Sequence, residues 1–217
     1  MIHEFTRRQL NALTISENRP LVICDVDDVV VHFLRGFDSL LADKGFVLEA
    51  NSFTLNGNVV HAHTREQMPQ HEVAALVDDY FIEKTAVMEA IDGAVAALQG
   101  FSTHASVVML TNLPHHARDN RIANLQGHGL HFPVITNSGP KGPAILELAS
   151  RTSEKTVFID DSPTFIQSSY DSAPDVHLVH FLHDQRFAVL HKPFPFVGLT
   201  TSHWDDIRQH VTQLIAG

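Results

Sequence analysis

The chain has 217 residues, enough for one large domain or for one domain carrying a modest insertion, at about 150 residues per domain. With 44% hydrophobic and 18% charged residues, it falls outside the composition of disordered chains and of coiled coils. Fifteen Lys and Arg against 25 Asp and Glu give a net charge of −10, which argues against a surface built to neutralise nucleic acid. The single cysteine, Cys24, excludes an internal disulfide and a cysteine-cluster zinc site. The opening stretch MIHEFTRRQLNALTISENRP scatters charges where an export signal keeps an apolar core. No apolar run approaches the ~20 residues of a bilayer span, so a cytoplasmic protein without membrane association is the expectation.

In chain order, the first buried-strand pattern is LVIC at 21–24. Phe33, Phe37, Leu40 and Leu41 then recur at helical spacing within 33–48, and Val73, Leu76, Val77, Tyr80, Phe81 and Ile82 do so within 71–90. Between them NSFTLNGNVVHAH reads as a loop or short hairpin turning at Asn56-Gly57. IDGAVAALQGF at 91–101 predicts a helix leading to a second strand, VVML at 107–110. Pro114 opens a helix through RIANLQ that Gly127 or Gly129 closes. The strand FPVIT at 132–136, a short helix in PAILELA, and the strands TVFI at 156–159 and VHLVHFL at 176–182 follow. KPFPFVG at 192–198 reads as an extended surface connection, and Ser202 as the N-cap of a final helix presenting Trp204, Ile207, Val211 and Leu214.

Strands alternating with helices over 107–182 predict an α/β fold with a doubly wound parallel sheet, in which ligands bind beyond the carboxyl ends of the strands. The interval from Asp25 to Thr111 is several times the 10 to 15 residues, roughly, of a simple crossover helix. Something is inserted there. The expected division is therefore a core of residues 1–32 and 89–217, with a small helical unit over 33–88.

The chemistry-bearing segment is LVICDVDDVV, where a buried strand runs straight into Asp25, Asp27 and Asp28. Two carboxylates about 4 Å apart repel by roughly 4 kcal/mol at an effective dielectric of 20. A second strand, TVFIDDSP, delivers Asp160 and Asp161 to the same edge of a parallel sheet. Convergent carboxylates of this kind match the oxygen-rich, octahedral demand of Mg²⁺. Thr111 and Asn112 end another strand on that edge. Lys141 begins a helix, where a positive charge opposes the macrodipole unless an anion lies beside it.

These four segments resemble the haloacid dehalogenase superfamily. Its first motif is matched by Asp25-Val26-Asp27-Asp28-Val29, its second by Thr111, its third by Lys141 and its fourth by Asp160-Asp161, over about 18–30 and 90–182. The resemblance implies that 33–88 is a cap that selects the substrate. It implies Asp25 as the nucleophile attacking phosphorus and Asp27 as general acid and base. It implies Thr111, the Asn112 amide and Lys141 on the phosphoryl oxygens. It further implies Mg²⁺ held by Asp25, the Asp27 main-chain carbonyl, Asp160 and Asp161, with Asp161 in direct contact and Asp160 acting through water.

Dehalogenating members of that superfamily lack the second acid, so Asp27 favours phosphoryl transfer. The expected activity is hydrolysis of a small phosphorylated metabolite, with transfer or mutase chemistry on the same residues as the alternative. A non-catalytic phosphate-binding relative would have lost Asp25, Asp27 or Lys141, and all three are present. Response-regulator receivers also gather acids, a Thr and a Lys around Mg²⁺, but they place the phosphorylated Asp after a later strand and have no room for a cap. The 16 histidines are scattered and read as packing or surface residues, with His32, Arg35, His115 and His116 near enough to the motifs to approach a substrate. No feature of the sequence specifies an oligomeric state.

Overall fold

In the computed structural model, which describes residues 1–216, the run LVIC forms the strand Leu21–Cys24 (β1), buried at every position. Before it lies the helix Glu4–Ala12 (α1), and after it come the helix Phe33–Asp43 (α2), the strands Phe46–Leu48 (β2) and Val59–His61 (β3), and the helix Gln70–Lys84 (α3). The chain continues through Ala94–Ser102 (α4), Ser106–Thr111 (β4), Arg118–Gly127 (α5), Val134–Thr136 (β5) and Gly142–Ala149 (α6). Thr156–Asp160 (β6), Pro163–Ser172 (α7), His177–Phe181 (β7), Gln185–Ala188 (α8), Leu199–Thr201 (β8) and Trp204–Ala216 (α9) complete it.

The main sheet has the order β5-β4-β1-β6-β7-β8, and every neighbouring pair is parallel. Alternation along each strand sorts the side chains to two faces. Val22 and Cys24 of β1 join Met109, Ile159 and Phe181 against α4, α5 and α9 through Leu98, Phe101, Leu125, Trp204 and Ile207. Leu21 and Ile23 join Leu110 and Phe158 against α1, α6 and α7 through Leu10, Ile145, Leu148 and Ile166. Both faces are therefore covered, as a parallel sheet requires. Because β1 lies between β4 and β6, the chain runs outward in opposite directions on its two sides. Their carboxyl ends frame the crevice where such sheets bind ligands.

The insertion between β1 and β4 is mixed rather than helical throughout. The helical spacing from Phe33 ends at Asp43 because Gly45 takes a left-handed φ of 79°, which stops a helix and costs glycine nothing. Phe46–Leu48 then pairs antiparallel with Val59–His61, and Gly57, at φ 80°, makes the turn expected at Asn56-Gly57. Ile82, grouped with the apolar face of α3, points to solvent.

Two elements lie outside the sequence reading: α1, which is mostly polar, and β8, three residues long at the sheet edge. Ser202 does not cap α9. The helix starts at Trp204, and Thr201 Oγ1 accepts the His203 N–H at 3.1 Å while bonding Asp206. KPFPFVG is the surface connection expected, with none of its residues fully buried, and Phe194 and Phe196 pack their rings against the core, Phe196 stacking on Tyr170 at 3.9 Å.

Candidate active site

Asp25 leaves β1 still in register, its N–H donating to the Ile159 carbonyl at 2.9 Å. The chain then turns tightly, with the Val30 N–H on the Val26 carbonyl at 2.8 Å and Asp28 at a φ of 56°. A short polar side chain tolerates that left-handed conformation better than a bulky or β-branched one. Asp28 lines the same cavity but stands outside the three-carboxylate cluster of Asp25, Asp160 and Asp161. Its carboxylate accepts the N–H groups of Phe33 and Leu34 at 3.0–3.2 Å and so holds the start of α2.

Lys141 immediately precedes α6 and is fully buried, with its Nζ 2.6 Å from Asp25 Oδ1 and 2.6 Å from Asp160 Oδ2. Burial alone would push this ammonium toward neutrality, but Asp160 and Asp25 outweigh it and hold it well above the usual lysine range. The α6–α7 crossing brings it there. Gly142 packs so closely that a Cβ would lie 2.0 Å from the Ser168 carbonyl oxygen. Asp160 ends β6, and its second oxygen takes the Ser162 N–H at 2.8 Å.

Asp161 differs from its neighbour. Among the described residues, no hydrogen bond or ion pair involves its carboxylate. Burial, then Asp160, Asp25 and Asp28, push that carboxyl well above the usual range. Its main-chain oxygen lies 2.9 Å from Nε2 of His180, a buried ring whose pKa falls to about 4 through desolvation, so the ring is neutral at pH 7. Carboxylate oxygens of Asp25, Asp160 and Asp161 lie within 4.8 Å of one another. With Lys141 spread over two of the three, this hard, oxygen-only donor set is short of positive charge and fits a divalent cation such as Mg²⁺.

Asp27 turns the other way. One carboxylate oxygen pairs with the guanidinium of Arg121, and the other accepts the Thr111 hydroxyl at 3.2 Å. Burial raises its pKa, and Arg121 and Thr111 offset that rise only in part. A carboxyl raised in this way holds a proton more readily than a free carboxylate does. The side chains of Asp25, Asp160 and Asp161 thus form one cluster, and that of Asp27 lies outside it on the Arg121 side. Thr111 touches Asp27 directly. Asn112 uses its side chain to tie the neighbouring loop, through the Gly139 carbonyl at 2.9 Å and Asn137 at 3.0 Å.

Asp25, Asp27, Thr111, Asn112, Lys141 and Asp161 all line one cavity of about 410 Å³. The architecture is that of the haloacid dehalogenase-like hydrolases. A haloacid dehalogenase-like hydrolase from Burkholderia xenovorans superposes with a TM-score of 0.60 at 14% identity, covering 91% of this chain and 98% of that one. A family member from Deinococcus radiodurans, solved with bound phosphate and sodium, gives 0.58 at 14% identity over 92% and 97%. One from Bacillus subtilis, solved with magnesium, gives 0.54 at 16% identity over 90% and 99%. No family model and no curated protein matches the sequence. In this haloacid dehalogenase-like fold the cavity opens at the carboxyl ends of β1, β4 and β6, between the sheet and the insertion.

Three partners of the site escaped sequence reasoning. Arg121 lies on α5 with no exposed surface, bonded to Asp27, to Asn124 Oδ1 at 3.2 Å and to Met88 Sδ at 3.4 Å. The available signal was a charged residue on the buried face shared by Ala117, Asn124 and Leu125. His180 alternates to the face opposite Phe181, which identifies it as buried but not as a support for Asp161. Asn137 had no signal. Arg35, by contrast, pairs with Glu89 at 3.1 Å and lines, with His32, a separate cavity. His115 is spent on Thr136 at 2.6 Å and Ser138 at 3.0 Å. No helix among the described residues is long and apolar enough to cross a membrane.

Proposed function

We propose that the chain is a Mg²⁺-dependent phosphomonoester hydrolase of the haloacid dehalogenase superfamily, with residues 33–88 as its cap. The observation that carries this reading is the placement of a carboxylate, Asp25, on a buried ammonium beside the unpaired Asp161 and within one cavity of Asp27. Asp25 attacks phosphorus, forming an acyl-phosphate bond as the ester P–O bond breaks. Asp27 gives its proton to the departing oxygen. Water then attacks the aspartyl-phosphate, Asp27 takes the proton from that water, and the Asp25 carboxylate leaves, restoring both groups. Lys141 balances charge on Asp25 and the phosphoryl oxygens, and Thr111 and Arg121 fix the direction in which Asp27 presents its proton.

Mg²⁺ would be held by Asp25, Asp161 and the Asp27 carbonyl, with Asp160 acting through water, and when bound it supplies Lewis-acid stabilisation of the phosphoryl oxygens. Since Asp160 is already committed to Lys141 and Ser162, its part is to hold the ammonium and the strand end in place. Replacing Asp25 by Asn removes the nucleophile. Mg²⁺-dependent phosphate release from 4-nitrophenyl phosphate is expected to fall to the background rate, and retained turnover overturns the reading.

A further inference from the structure

Away from the reactive groups the cavity wall is largely apolar, with Asp28, Thr54, Ser162, His183 and Asp184 as its other polar residues. Its upper walls come from both sides of the cleft: Phe33 and Leu34 of α2, Phe53 and Leu55 of the β2–β3 loop, and Phe181 and Phe187 on the sheet side. Phe33 stacks on Phe81 at 5.0 Å, and Phe53 meets Phe187 at 5.7 Å across the opening. Lys141 is the sole lysine or arginine among the described lining residues, and its ammonium is spent on Asp25 and Asp160. Arg186 sits beside the rim but turns its guanidinium to Asp184 at 2.6 Å and Asp38 at 2.7 Å. A second anionic group on the substrate would thus lie among aromatic carbon and the carboxylates of Asp28 and Asp184, with no free lysine or arginine to pair it and the His183 ring as the one other basic side chain in the lining, a costly burial.

We infer that the substrate is a phosphomonoester whose leaving group is an uncharged, apolar alcohol of about the size of a benzyl or short alkyl group, held by the phenylalanine walls. This deepens the phosphatase reading and rests on it. The cavity volume suits such a molecule, since small-ligand pockets of ~300–1,000 Å³ are mostly apolar with a few convergent polar groups at one end.

The test compares primary alkyl esters of similar leaving-group basicity, so that pocket fit and not bond strength sets the order. With full-length protein and Mg²⁺, kcat/KM for benzyl phosphate and hexyl phosphate is expected to exceed that for 2-phosphoglycolate and glucose 6-phosphate by about 10-fold or more. Leu55→Arg, on the loop wall, is expected to lower the benzyl phosphate value and raise that for 2-phosphoglycolate. An activity-free measurement accompanies it: benzylphosphonate is expected to bind more tightly than phosphonoacetate by calorimetry. Hydrolysis of acetyl phosphate with no preference among the four esters, or equal phosphonate affinities, overturns the substrate class and leaves the phosphatase reading standing. Failure to release phosphate from any donor, acetyl phosphate included, removes the phosphatase reading and the substrate class with it.

Discussion

In the proposed mechanism, proton delivery depends on the Arg121–Asp27 contact. Arg121 has no exposed surface, and Asp27 also takes the Thr111 hydroxyl. Breaking a buried pair by removing one partner strands the other charge, at a cost of about 3–5 kcal/mol. Arg121→Gln keeps a donor and much of the volume but removes the charge, so Asp27 loses both its counter-ion and its fixed direction. Because kcat/KM reports the steps up to the first irreversible one, it isolates protonation of the leaving oxygen. For benzyl phosphate, whose alkoxide needs that proton, kcat/KM is expected to fall about 100-fold. For 4-nitrophenyl phosphate, which leaves without help, the fall is expected to be under about 10-fold. Equal losses on the two esters would mean that Arg121 supports the fold and not the direction of Asp27. Arg121→Lys is expected to recover part of the benzyl phosphate rate.

At the scale of elements, the crossing of α6 over α7 sets where Lys141 can reach. A methyl on Gly142 would sit 2.0 Å from the Ser168 carbonyl oxygen and 2.4 Å from Ser172 Oγ, and main-chain atoms cannot yield as a flexible side chain does. Gly142→Ala is expected to lose about 1–3 kcal/mol of stability, read as a lower denaturation midpoint. Activity is expected to fall further than unfolding explains, because the residue that moves adjoins the ammonium on Asp25; full activity per folded molecule would disconnect the crossing from the site. The strands bearing Asp25, Thr111 and Asp160 were legible in the sequence because each is a short apolar run ending in polar residues, and parallel pairing brings those ends to one edge. The insertion was legible as an interval too long for one crossover. The hairpin of β2 and β3 was legible only as a turn at Asn56-Gly57, since three-residue strands carry too little alternation to declare themselves. What stayed hidden has a common cause. Arg121, His180 and Asn137 act through tertiary hydrogen bonds to residues far along the chain, and no local period encodes such partners. The cavity's aromatic walls were hidden for the same reason: Phe33 and Phe81 read as core spacing, and Phe53 and Phe187 meet only once the cleft is folded.

Across the whole molecule, an acidic cluster beside a single ammonium is expected to tie stability to the divalent ion of the proposed site. Asp161 carries a carboxylate with no partner among the described residues, and Asp25 and Asp160 share Lys141. In the absence of a cation this repulsion opposes folding, because the unfolded chain separates the three groups in water. A cation that binds only the folded state stabilises it by RT ln(1 + [L]/Kd), about 2.7 kcal/mol at a hundred times Kd. For a chain of this size each kcal/mol moves the melting midpoint by roughly 2–4 °C. Saturating Mg²⁺ is therefore expected to raise the midpoint by about 5–10 °C, and a chelator to reverse it. Asp161→Asn separates this from a general salt effect, because the variant removes both the repulsion and a ligand. Its midpoint without metal is expected to lie above that of the parent, while its response to Mg²⁺ collapses. A variant that melts lower without metal yet still gains the full shift would place the cation elsewhere and take the proposed site apart.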